Sequence, residues 1–179
     1  MIIMNKEQRF IATWIIGVGI GWHMAKIMGT VMRKIFFADI TIDNAPLFWL
    51  VFGVVLGLVQ WIILRSWIKG IGFWVIVTAL GCYGFSQLSR LLYYLCFTQW
   101  FWYLILSGII IGVFQYIIIR KRFRRAELWI LSTAIGWVLT TLLSTSNNPF
   151  TIILSGFVFS FFTGIGLALL NQLKLDMTE

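Results

Sequence analysis

The chain has 179 residues, 60% of them hydrophobic and 11% charged, with a mean hydropathy of +0.94 and a formal net charge of +8. A soluble domain carries about 25% charged residues, so a water-soluble globule is excluded. Six spans of about 20 residues each use most of the chain and leave no room for a separate soluble domain.

The first span, 10–32, follows Lys6 and Arg9. No small-x-small cleavage site ends it, so it reads as a retained span and not a signal peptide. Gly19, His23 and Lys26 share one face at i, i+4, i+7. His23 is the only histidine. An axial pigment or haem contact, a proton acceptor and a hydrogen-bonded packing residue all fit it; one His without a second ligand is weak for metal. No cofactor is required by the sequence. The segment TVMRKIFFADI (30–40) can lie in the interface, with Val31, Ile35 and Phe36 beside Arg33 and Lys34.

The second span, 47–64, places Gly53, Gly57 and Gln60 on one helix face and closes on Arg65. The third, 71–97, carries Ser86, Gln87, Ser89 and Arg90 towards its far end. Because ionisable groups at membrane depth are costly, His23, Lys26, Gln87 and Arg90 form the candidate ligand-binding set. Lys26 and Arg90 can equally reach headgroups along their stems. Cys82 and Cys96, fourteen apart without a neighbouring His or Cys, give no metal-ligand spacing.

The fourth span, 100–119, repeats the second. GVVLGLVQWIILR (53–65) returns as GIIIGVFQYIIIR (108–120), with six of thirteen positions identical. Gly108, Gly112 and Gln115 therefore reproduce the earlier stripe, and Arg120 the closing arginine. RKRFRRAE (120–127) is the strongest charge run, read as a membrane anchor, with a docking patch for an acidic partner as the alternative. The fifth span is 128–144 and the sixth 149–170. In the sixth, Gly156, Ser160, Thr163 and Gly164 echo the stripe without the Gln or the Arg.

The odd spans share FIATWIIG (10–17), WVIVTALG (74–81) and WILSTAIG (129–136), each an aromatic seven residues before a Gly. The expectation is an all-α integral membrane protein of six transmembrane helices, arranged as three tandem hairpins over about 10–65, 71–120 and 128–173. This is a parallel repeat, unlike the inverted repeats of alternating-access transporters. Ten Lys and Arg on one side against four on the other put both termini in the cytoplasm. The connection STSNN (144–148) carries no charge.

Small residues let helix backbones approach in lipid, where apolar burial alone gives no reason to associate. The stripes Gly53/Gly57/Gln60, Gly108/Gly112/Gln115 and Gly156/Ser160 are thus expected to be helix-packing seams; a polar lining for a ligand path is the alternative. Trp49, Trp100, Trp102, Trp67 and Trp129 fit an interfacial belt, while Trp14, Trp22, Trp61 and Trp137 lie deeper. All six acids (Glu7, Asp39, Asp43, Glu127, Asp176 and Glu179) fall outside the spans or at their margins. No G-x-S-x-G, H-E-x-x-H or phosphate-binding loop is present, so no catalytic residue is assigned.

The tandem G-x3-G-x2-Q-[WY]-x3-R pattern resembles small polytopic membrane proteins of cyanobacteria and green non-sulfur bacteria. The likeness covers spans two to five well and the outer two loosely. It implies a bacterial cytoplasmic or thylakoid membrane and transfers no activity. In size the chain is similar to the substrate-binding subunits of vitamin importers, but it carries no matching motif. The expected function is a non-enzymatic accessory or scaffold subunit that associates with a larger membrane complex or with itself through its glycine faces. A small-molecule or pigment-binding subunit and an oligomeric pore are the alternatives. Membrane lipids and other membrane subunits are the expected partners, and nucleic acid is not.

Overall fold

A computed structural model describes residues 5–36, 46–94, 100–146 and 148–171. Among these residues the fold is all-helical. The helices are α1 (Lys6–Phe36), α2 (Pro46–Leu64), α3 (Trp74–Tyr94), α4 (Trp100–Ile119), α5 (Glu127–Ser144) and α6 (Pro149–Asn171). Among the described residues, five helices are long and apolar enough to cross a membrane. The protein is an integral membrane protein.

Local chemistry sets the helix starts. Both prolines of the chain, Pro46 and Pro149, occupy a first helical position, where the missing N–H costs nothing. Asn5 and Gln8 cap α1 reciprocally: each backbone N–H donates to the other's side-chain oxygen, at 2.9 and 2.8 Å. The Asn148 side chain accepts from the backbone of Phe150 at α6. The first helix runs further than its hydrophobic stretch predicts. It continues through Arg33 to Phe36, so the segment expected to lie in the interface begins as roughly the last two turns of α1.

Each helix packs chiefly on two others: α1 on α2 and α6, α3 on α2 and α4, α5 on α4 and α6. The six close into a ring. One end, the basic end, holds the starts of the odd helices, the ends of the even ones, and the basic connections 65–73 and 120–126. Both connections turn apolar side chains back under the ring, Ile68 and Ile71 in one and Phe123 and Ala126 in the other. Their backbones bond alike. Trp67 and Ile68 donate to Leu64, and Trp74 to Ile71; 55 residues on, Arg122 and Phe123 donate to Ile119, and Trp129 to Ala126. Gly70 turns the first connection with φ +75°, and a Cβ there would strike the Arg122 guanidinium.

The ring is filled, not hollow. Trp22 meets Phe52, Trp137 and Phe159 at centroid distances of 5.0, 5.1 and 4.8 Å. Nearer the basic end, Trp129 meets Trp74 at 5.6 Å and Trp14 at 6.0 Å.

Several expectations require correction. Trp129, expected in an interfacial belt, is fully buried. Trp49 packs on Phe85 and Trp137 at the end opposite the basic one. Trp61 is only half-buried, and Arg65 lies over its ring at 5.0 Å. The expectations for Cys96, Asp39, Asp43, Lys174, Asp176, Glu179 and the side chains of Trp100 and Trp102 lie outside the described residues.

Candidate functional site

Near the basic end, three indoles meet three acceptors inside the ring. Trp74 Nε1 donates to Gln60 Oε1 at 3.0 Å. Trp129 Nε1 donates to Gln115 Oε1 at 2.9 Å. Trp14 Nε1 donates to Thr163 Oγ1 at 3.1 Å. Each bond joins an odd helix to an even one: α3 to α2, α5 to α4, α1 to α6. Gln115 Nε2 also donates to Gln60 Oε1 at 3.1 Å and to Thr78 Oγ1 at 2.9 Å. All of these residues are fully buried. With no water at membrane depth, each indole N–H needs an internal acceptor. That is the physical reason for an amide at positions 60 and 115.

Among the described residues, two groups in this layer have no partner: Gln60 Nε2 and Thr133 Oγ1. Thr163 sends its own hydroxyl proton back along α6, to Phe159 O at 2.9 Å.

The glycine stripes lie on the same helix pairs. A Cβ on Gly53 would sit 2.7 Å from Ala79 Cα, and one on Gly108 would sit 2.6 Å from Ala134 Cα. Gly57 faces Val75 and Thr78; Gly112 faces Ile130 and Thr133. Gly156 lies against Gly19 O, His23 and Trp22. Ser160 is buried in α6 and bonds to Phe157 O. These faces are therefore covered by α3, α5 and α1 of the same chain. That corrects the expectation that they dock a partner or line a pore between copies.

Phe10, which heads the first aromatic-to-Gly stretch, stacks on Trp67 at 4.1 Å. The indole that enters the buried layer is Trp14, one turn further on. Sequence reading also missed Trp74 and Thr78 as polar partners and Thr133 as a buried polar residue. The signal was present as two W-x3-T steps, 74–78 and 129–133, each fourteen residues from its Gln to its Trp.

The candidate ligand-binding residues do not converge. His23 Nε2 donates to the Ile153 carbonyl at 2.8 Å and ties α1 to α6. Lys26 Nζ donates to Ser144 Oγ at 3.2 Å and lies 5.9 Å from the Trp22 ring. Gln87 is half-buried and Arg90 exposed, both on α3, which packs on α2 and α4. Towards the end opposite the basic one, Trp22 Nε1 and Ser86 Oγ are buried without a partner among the described residues.

Compared with protein-family models, curated proteins and solved structures, the chain matches none.

Proposed function

We propose that the protein is a non-enzymatic accessory or scaffold subunit of a bacterial membrane, built as three tandem hairpins with both termini in the cytoplasm. The repeat reading is supported by the three indole–acceptor bonds, and it fixes the register as Trp14–Gly21, Trp74–Gly81 and Trp129–Gly136. In each stretch the glycine lies against the next even helix: Gly21 on Val59, Gly81 on Ile111, Gly136 on Phe159 and Phe162. Sidedness rests on the ten-to-four distribution of Lys and Arg. Single cysteines at Ser66 and Ser146, in a chain lacking Cys82 and Cys96, test it: the first should react only from the cytoplasm and the second only from outside.

The observation that carries the scaffold reading is the packed interior. Indole–amide bonds and aromatic stacking occupy the ring, and the glycine tracks are consumed within the chain. Association with a larger complex, or with a second copy, then falls to the apolar exterior and the basic rim. Gentle extraction from the native membrane should yield co-migration with a larger assembly on native gels. Purification as a lone monomer at natural abundance overturns the reading.

A second reading, a small-molecule binder, is favoured by Trp22 Nε1 and Ser86 Oγ. An acceptor on a small ligand would satisfy the Trp22 N–H. A bound molecule found by mass spectrometry and lost on Ser86→Ala would select this reading over the first.

A further inference from the structure

On the outside of the ring, α4 and α5 leave an apolar groove of about 630 Å³. Ile105 and Ile109 line one side, Leu131, Ile135 and Val138 the other. Ala134 also lines it, and its Cα is the atom against Gly108. The groove thus follows from the seam: a glycine facing an alanine brings the backbones together and leaves no bulk to fill the outer crease.

Its dimensions match a lipid tail. The lining on α5 runs from Glu127 to Leu139, about 18 Å of helix. One leaflet of a hydrocarbon core is about 15 Å deep, half of ~30 Å. Apart from Glu127, every lining residue is apolar.

The charge at the mouth identifies the lipid. The connection joining these two helices, 120–126, carries Arg120, Lys121, Arg122, Arg124 and Arg125, of which all but Arg122 are exposed. The corresponding stretch between α2 and α3, 65–71, carries only Arg65 and Lys69. Glu127 is a single carboxylate against five cations, so the mouth stays cationic. Arginine forks match phosphate oxygens in geometry, and each basic residue near a membrane surface attracts anionic lipid.

We propose that this groove holds one acyl chain of an anionic phospholipid, with the phosphate on Arg124 and Arg125. The inference rests on membrane insertion and is independent of any assembly partner. The test is native mass spectrometry of the full chain, delipidated in mild detergent and offered equal amounts of phosphatidylglycerol and phosphatidylcholine with the same chains. The expected result is a one-to-one phosphatidylglycerol adduct that survives activation which strips phosphatidylcholine. The double variant Arg124→Gln/Arg125→Gln should bring retention down about tenfold, to the phosphatidylcholine level. Ile135→Trp, which fills the groove, should abolish the adduct while leaving the thermal midpoint within a few degrees. If that variant unfolds, Leu131→Trp, at a more exposed position on the same wall, serves in its place.

Equal retention of both lipids overturns the proposal, as does an adduct indifferent to the groove-filling variants. Glycerol phosphate competing as well as the intact lipid would reduce the site to a bare anion patch and overturn it too. So would a dimer that Ile135→Trp dissociates, because the groove would then belong to a second copy.

Discussion

At the residue scale, the two glutamines differ in what they hold. Gln115 accepts from Trp129 and donates to Gln60 and Thr78. Gln60 accepts from Trp74 and Gln115, but its own amide N–H groups are idle. In the proposed register, the Thr78 position falls on Val18 in α1, which offers no oxygen to Gln60. The Gln115 position falls on Thr163 in α6, whose proton is already used, so Thr133 is left without a donor. Gln115→Leu should strand the Trp129 N–H and cost about 1–3 kcal/mol, the penalty for an orphaned buried donor. Gln60→Leu strands Trp74 but removes an orphan at the same time, so it should cost about 1 kcal/mol less. Thermal unfolding followed by tryptophan emission would rank wild type above Gln60→Leu above Gln115→Leu; the reverse ranking refutes the bonding scheme. Val18→Thr should raise stability by about 0.5–1.5 kcal/mol through a new acceptor, and only where Gln60 is intact.

At the element scale, the contacts are between backbones, which cannot yield as a flexible side chain can. Gly53→Ala and Gly108→Ala each place a methyl within 2.7 Å of a neighbouring Cα and should cost about 1–3 kcal/mol by overpacking. Gly84 in α3 is the control, since its nearest neighbour is Phe114 at 3.9 Å. There Ala should be neutral or gain up to about 1 kcal/mol in helix propensity. Equal losses at all three glycines would remove the seam explanation. The stripes themselves were legible because glycine at i and i+4 is a long-range signal written locally. The register of α1 was not. Gly17, Gly19 and Gly21 stand close together behind two aromatics, Phe10 and Trp14, so an aromatic-to-glycine spacing fits more than one pairing. The likeness of the two basic connections was hidden for another reason. Their side chains differ almost throughout, and what recurs is a set of backbone bonds. The glutamine's partner was missed because an indole at the start of the next helix looks like an interfacial anchor until the turn brings it back inside.

At the scale of the whole molecule, closure joins the helices furthest apart in sequence. Trp14 with Thr163, His23 with Ile153, and Gly19 against Gly156 all lie on the α1–α6 seam. A ring of neighbour contacts has no master element: each hairpin is held by one seam on either side. Because helices in lipid are individually stable and associate afterwards through packing, a break in one connection should not prevent assembly. Fragments 1–69 and 70–179, expressed together and separated beside the exposed Gly70, should therefore co-purify through a tag on either one. Two seams re-form, α2 on α3 and α1 on α6. Gly53→Leu blocks the first by meeting Ala79 Cα, and Gly156→Leu blocks the second by meeting Gly19 O. Either substitution alone should weaken recovery of the partner fragment, and the two together should abolish it. If both fragments insert into the membrane yet never associate, the ring is not held by these seams. If the double variant still co-purifies, the fragments are joined through some other surface.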